Sequence, residues 1–279
     1  MIEHYENSSS LESRICLEET QNQLIENIQE SLQDLDKQTK QFSFFDLGLS
    51  DYDIKTLSKI KTVQKTIKGI YSIDDLGTLS VESEELNQTE TQHLNCMILN
   101  LVKTVIKESG KNDAKIYLIF STKDAFLIPI EQIDQEKPEY QKNYHIDKTL
   151  PESLNMCPSK EMSEDKYAFV IPLIGETTLY QSLTETQKEI FTKKAYQDRR
   201  TMSYTNNTKG VDPVLYEELF SDKTVQRASP GHGSVHFTGV RGTLHSQPKI
   251  ENQRLVIAIF PGDTWALKKF YNSAKSGLV

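Results

Sequence analysis

In the polar stretch KNYHIDKT, His145 and Asp147 stand two residues apart. If the backbone there is extended, residues at that spacing leave from the same face, so an imidazole and a carboxylate enter one space. One neutral nitrogen donor and one carboxylate suit a divalent first-row metal such as iron. The pair is a short motif: with six histidines and 40 acidic residues in 279, a His-x-acid pair arises roughly once by chance. Two ligands are also too few for a site that must take substrates as well, so a third must arrive from elsewhere in the fold. Three downstream histidines could supply it: His232, His236 and His245, all within SPGHGSVHFTGVRGTLHSQPKIENQRLVIAIF.

Nine residues after His245, Arg254 opens an apolar run. At strand periodicity Arg254 shares a face with Val256, Ala258 and Phe260, while Leu255, Ile257 and Ile259 face the other way. A guanidinium between two apolar faces is costly without an anionic partner. Its planar fork suits a carboxylate gripped by two hydrogen bonds.

The series His145, Asp147, His245 and then Arg254 resembles the iron(II)/2-oxoglutarate-dependent oxygenase superfamily. Two further features are similar to it: a glycine-turn strand before the distal histidine (PGHGSVHFTG) and a proline just after it (HSQP). The resemblance covers about residues 115–262. It implies a double-stranded β-helix, or jelly roll, with His145, Asp147 and His245 as a facial triad on Fe(II). It further implies that 2-oxoglutarate and O2 take the open positions, with Arg254 on the far carboxylate of the cosubstrate. Succinate and CO2 would leave as a substrate C–H bond is oxidised, and Asp147 in place of a small residue favours hydroxylation over halogenation. Thr178 and Tyr180 in GETTLYQ share one strand face and could donate hydroxyls to the same carboxylate. Many members carry a hydroxyl residue two positions after the arginine, whereas here Val256 stands there.

The elements that must position these residues come in two blocks. In LEETQNQLIENIQESLQDLDKQ, Leu17, Leu24, Ile28, Leu32 and Leu35 form one helical stripe opposite a Glu/Gln face. In LNCMILNLVKTVIKESG, Leu94, Met97, Ile98, Leu101, Val102 and Val105 make a broader apolar face, with Gly110 as a C-terminal stop. The lysine-rich IKTLSKIKTVQKTIKGI between them reads as a solvated helix. From about residue 115, KIYLIFS, AFLIPI, YAFVIPLIG, TTLYQSL, GSVHFTG and QRLVIAIF read as strands. TETQKEIFTKKAYQDRR reads as a helical insertion among them. Helices early and strands late imply an α+β fold. The expected organisation is a helical region over 1–110 packing on a catalytic jelly roll over 111–279, with a helix and loop insertion at about 181–229.

The net charge of −8 excludes a nucleic-acid surface of the usual basic kind. Much of the excess lies in residues 1–40, which hold nine acids against three bases. That acidic helix could also meet a protein partner. Cys16, Cys96 and Cys157 are scattered and read as reduced thiols, and no apolar run suits a signal or a membrane span, so the expectation is cytoplasmic. A small-molecule or amino-acid-type substrate is expected. Two competing readings stay open: a cupin-like metalloprotein without 2-oxoglutarate, and a non-catalytic jelly-roll interaction protein. The first leaves Arg254 without a reason, and the second leaves the ordered series of polar residues unexplained.

Overall fold

The computed structural model describes residues 6–37, 40–64, 67–122, 167–187, 225–238, 242–246, 248, 250 and 252–262. His145, Asp147, the expected strand AFLIPI and most of the expected insertion lie outside the described residues. Among the described residues the order is α1 (Glu6–Asp36), β1 (Phe42–Asp46), α2 (Asp51–Lys59), β2 (Ile67–Ser72), a 3-10 turn (Ile73–Thr78) and α3 (Gln88–Glu108). Then follow β3 (Asp113–Thr122), β4 (Tyr167–Ile174), β5 (Leu179–Gln181), β6 (Gln226–Arg227), β7 (His232–Phe237), β8 (Leu244–Ser246) and β9 (Gln253–Gly262).

Among the described residues every strand pairing is antiparallel. A six-stranded sheet runs β1-β7-β4-β9-β3-β2, and a three-stranded sheet runs β6-β5-β8. The chain crosses between the sheets from β4 to β5, from β6 to β7, from β7 to β8 and from β8 to β9. The helices lie on one face of the large sheet. Leu24, Ile28, Leu32 and Leu35 of α1 and Leu94, Ile98, Leu101, Val102 and Val105 of α3 share one core with Ile116, Leu118, Phe169, Ile171, Leu255, Ile257 and Ile259. The alternate positions of the same strands point toward the small sheet, as a period of two requires.

Of the stripes expected for α1 and α3, Leu24, Ile28, Leu32, Leu35, Leu94, Ile98, Leu101, Val102 and Val105 are buried, and Met97 is partly buried. The Leu17 side chain lies outside what is described, and Gly110 takes a φ of 71° just past α3. The region expected as helical over 1–110 also holds two strands. Phe42–Asp46 is a strand paired with β7, and Ile67–Ser72 is a strand paired with β3. Among the described residues of the lysine-rich region only those up to Lys59, in α2, are helical, and that helix is not simply solvated, because Thr56 and Leu57 are buried. Capping boxes fix the starts of α2 and α3: Ser50 with Asp53, and Asn87 with Glu90. The same acids tie the helices together. Asp53 holds His93 at 2.7 Å, and Glu90 holds Lys59. No helix among the described residues is long and apolar enough to cross a membrane.

Candidate functional site

The inner face between the two sheets carries the polar residues that the sequence singled out. Arg254 opens β9 opposite Ser121 of β3, with 5% of its surface exposed. Its Nε donates to the carbonyl of Glu176 at 2.9 Å, and one Nη donates to Thr178 Oγ1 at 3.0 Å. These two bonds use two of the five N–H donors of a guanidinium. No carboxylate among the described residues pairs with it. Burial pushes its pKa down to about 10, against the opposing pull of Tyr180 and Glu176, so it stays charged near neutrality.

A glycine makes this anchor possible. Gly175 ends β4 with a φ of 82°, and a Cβ there would lie 2.2 Å from the carbonyl oxygen of Gln253. Only a residue without a side chain lets the 175–178 segment lie so close to the head of β9. That approach brings the Glu176 carbonyl and the Thr178 hydroxyl onto Arg254.

Two residues beyond Thr178, on the same face, Tyr180 pairs across the small sheet with His245. Its ring is fully buried, stacked on Phe42 at 4.8 Å and lying 5.8 Å from the His245 ring at an interplanar angle of 28°. The sequence made the Tyr180 hydroxyl a possible donor to a cosubstrate carboxylate. In the structure it lies 2.6 Å from Ser234 Oγ and 3.3 Å from His236 Nδ1, because the opposing strand β7 presents both residues to it.

His245 is 5% exposed, and its Nδ1 lies 2.9 Å from the Thr243 carbonyl. A carbonyl can only accept, so Nδ1 carries the proton and Nε2 is the nitrogen with a lone pair to offer a metal. His236 is fully buried, with its ring centroid 4.4 Å from that of His245. His232 stands apart at the turn that opens β7, with its Nδ1 3.3 Å from the Pro230 carbonyl. Of the three downstream histidines, two therefore meet between the sheets. Among the described residues no group of three or more His, Cys, Asp or Glu side chains could hold a metal, and of the expected triad only His245 is described.

Residue-type reasoning passed over Ser234 and Gly175. The alternation Ser234-x-His236 did signal a shared face, and Gly175 sits directly before the GETTLYQ segment.

No protein-family model matches this chain, and neither does any curated protein. Among solved structures it is similar to the Kdo hydroxylase KdoO, a non-heme Fe(II) α-ketoglutarate-dependent dioxygenase. The identity is 12%, over 91% of this chain and 86% of that one, with a TM-score of 0.36. A Pseudomonas putida prolyl-4-hydroxylase matches at 10% identity, over 85% and 93%, with a TM-score of 0.35. The non-heme α-ketoglutarate-dependent epimerase SnoN matches at 8%, over 84% and 81%, with a TM-score of 0.33. The residues of the site, not these likenesses, carry the functional reading.

Proposed function

We propose that this chain is an Fe(II)/2-oxoglutarate-dependent oxygenase on a jelly-roll frame, oxidising a C–H bond of a small-molecule or amino-acid-type substrate, with hydroxylation the first expectation. The observation that carries the reading is Arg254. A buried guanidinium with two of its five donors used among the described residues, and no described carboxylate within ion-pair distance, suits an incoming carboxylate. Thr178 joins that grip, since its oxygen is already held by Arg254 and its own hydroxyl proton can turn to the same carboxylate. The jelly roll finds support in two sheets joined by repeated crossings.

The donor chemistry of His245 fits a ferrous ion, with His145 and Asp147 as its proposed fellow ligands. The metal, when bound, would supply the oxidising chemistry with O2 and 2-oxoglutarate. The chain's own residues do the rest. Thr243 sets the tautomer of His245. Arg254 and Thr178 orient a diacid by its far end. The apolar inner face around Val256 and Val170 keeps water from the reacting atoms.

Anaerobic addition of Fe(II) and then 2-oxoglutarate tests this reading against its rivals. A weak visible charge-transfer band is expected, lost in His145→Ala and requiring far more 2-oxoglutarate in Arg254→Ala. A cupin-like protein would bind iron without the band. Absence of both responses would leave a non-catalytic interaction protein.

A further inference from the structure

Gln41 directly precedes β1, far along the chain from the stretch expected to be catalytic, yet its bonds run to the small sheet. Its carboxamide pairs with the backbone of Leu183 as a neighbouring strand would. The oxygen accepts from the Leu183 amide at 3.0 Å, and the nitrogen donates to the Leu183 carbonyl. The backbone carbonyl of Gln41 accepts from the Thr243 hydroxyl. Leu183 follows β5 by two residues, and Thr243 comes immediately before β8. Because Gln181 pairs with Leu244, both contacts fall at the same end of the β5–β8 ladder. One residue thus ties the first strand of the large sheet to the two small-sheet strands that carry Tyr180 and His245.

Thr243 is fully buried and anchored twice: its hydroxyl donates to Gln41, and its backbone amide donates to the Phe237 carbonyl at 3.0 Å. Its own carbonyl lies 2.9 Å from His245 Nδ1. The place of that carbonyl decides where Nδ1 can point, and with it where Nε2 faces on the far side of the ring. The strand that Gln41 leads into continues the same wall, since Phe42 stacks on the Tyr180 ring at 4.8 Å.

We propose that Gln41 clasps β1 to the small sheet and, through Thr243, positions His245 as a metal ligand, so that the N-terminal part of the chain supplies a positioning residue of the site. The metal role rests on the oxygenase reading, but the clasp does not. Groups that orient a ligating imidazole typically contribute about 10–100-fold to metal affinity.

Three single variants of the full chain test this. Thr243→Val keeps the shape and removes the hydroxyl that reaches Gln41, Thr243→Ser keeps the hydroxyl, and Gln41→Met removes the carboxamide at similar length. In the metal-free protein, Gln41→Met should speed hydrogen exchange of the Leu183 amide. Thr243→Val and Gln41→Met should bind Co(II) about 10–100-fold more weakly than wild type, with altered visible d–d bands. Thr243→Ser should keep the wild-type affinity and spectrum. Circular dichroism checks the fold of each variant; should Thr243→Val not fold, Gln41→Met decides. Unchanged Leu183 exchange in Gln41→Met overturns the clasp. Lower melting temperatures beside unchanged Co(II) affinity and spectra, or a Thr243→Ser as impaired as Thr243→Val, overturn the positioning role. The charge-transfer band of wild type with Fe(II) and 2-oxoglutarate reads the oxygenase proposal separately. Weakened Co(II) binding in the variants beside a wild type without that band keeps the positioning role and ends the oxygenase reading. Wild type that binds no Co(II) overturns both.

Discussion

Arg254 donates a 3.0 Å hydrogen bond to Thr178, a residue reached from β4 by a turn that only glycine can make. The relationship joins the head of the last strand of the large sheet to the entry of the small one. Among the described residues most of the buried guanidinium's donors have no partner, which is costly. A pKa brought down to about 10 by burial corresponds to a folding penalty on the order of 3 kcal/mol. The sign follows from the direction: the charged form is disfavoured on folding, so the penalty is full below pH 10 and fades only as pH rises above it. Arg254→Met should therefore fold at least as stably as wild type in the absence of ligand. It should also lack the rise in melting temperature that the proposed function predicts for Fe(II)-loaded wild type on adding 2-oxoglutarate. A thermal melt with and without the diacid reads both effects.

Thr178→Val keeps the shape and removes the hydroxyl. A hydrogen bond to a charged group is worth about 1.5–3 kcal/mol, so affinity for 2-oxoglutarate should fall by roughly 10–150-fold with the metal affinity unchanged. Titration of the charge-transfer band measures it. Equal affinity in the variant would remove Thr178 from the site.

Gly175→Ala meets two obstacles at once. The added methyl group lies 2.2 Å from the Gln253 carbonyl oxygen, which is backbone and cannot rotate away, and a φ of 82° strains any residue with a side chain. A loss on the order of 1–3 kcal/mol is expected in denaturant unfolding. Binding of 2-oxoglutarate should weaken as well, because the Glu176 carbonyl moves off Arg254. Ala at Gly110, which also has positive φ but nothing within 4 Å, should cost less.

Much of this frame is legible in the residues. The two faces of β9 follow from alternation alone: Leu255, Ile257 and Ile259 pack on the helices, and Arg254 faces the small sheet. The stripes of α1 and α3 follow from their three- and four-residue steps. FSFFD hid because it is buried on both faces, with Phe42 stacked on Tyr180 and Phe45 in the helical core, so it shows no alternation to read. IKGIYS hid because its lysine-rich surroundings dilute any period. The meeting of His236 with His245 could not be read from spacing. It depends on the register that sets Tyr180 opposite His245 and on how closely two sheets approach, both tertiary properties.

Acid should loosen the helical layer first. Hydrogen bonds from Ser83 and Thr62 hold the Glu85 carboxyl down at about 2. Lys59 and the Asn87 backbone lower that of Glu90. A depressed carboxylate contributes stability above its unfolded pKa near 4.5, and that contribution is lost as pH falls through the folded value. Stability should decline from about pH 4.5 toward pH 2. Glu90→Gln should flatten part of this decline and weaken the link to Lys59 at every pH above it. Amide exchange in α2 and α3, followed from pH 6 to pH 3, should show whether protection there falls before that of β4 and β9.

The helices and the sheet should unfold together. Ile28 of α1 is fully buried in the same core as Ile98 of α3 and Ile257 of β9, with strands β1 and β2 drawn from the N-terminal part of the chain. Ile28→Ala removes three carbons from a site closed on every side, and truncations of this kind cost about 2–5 kcal/mol. If residues 1–110 were a separate helical unit, that loss would appear as an early transition confined to helix. A shared core predicts one transition, displaced as a whole, with helical and aromatic signals moving at the same denaturant concentration. Far-UV and near-UV circular dichroism recorded on the same samples distinguish the two, and separated midpoints would show that the helices do not share the stability of the sheet.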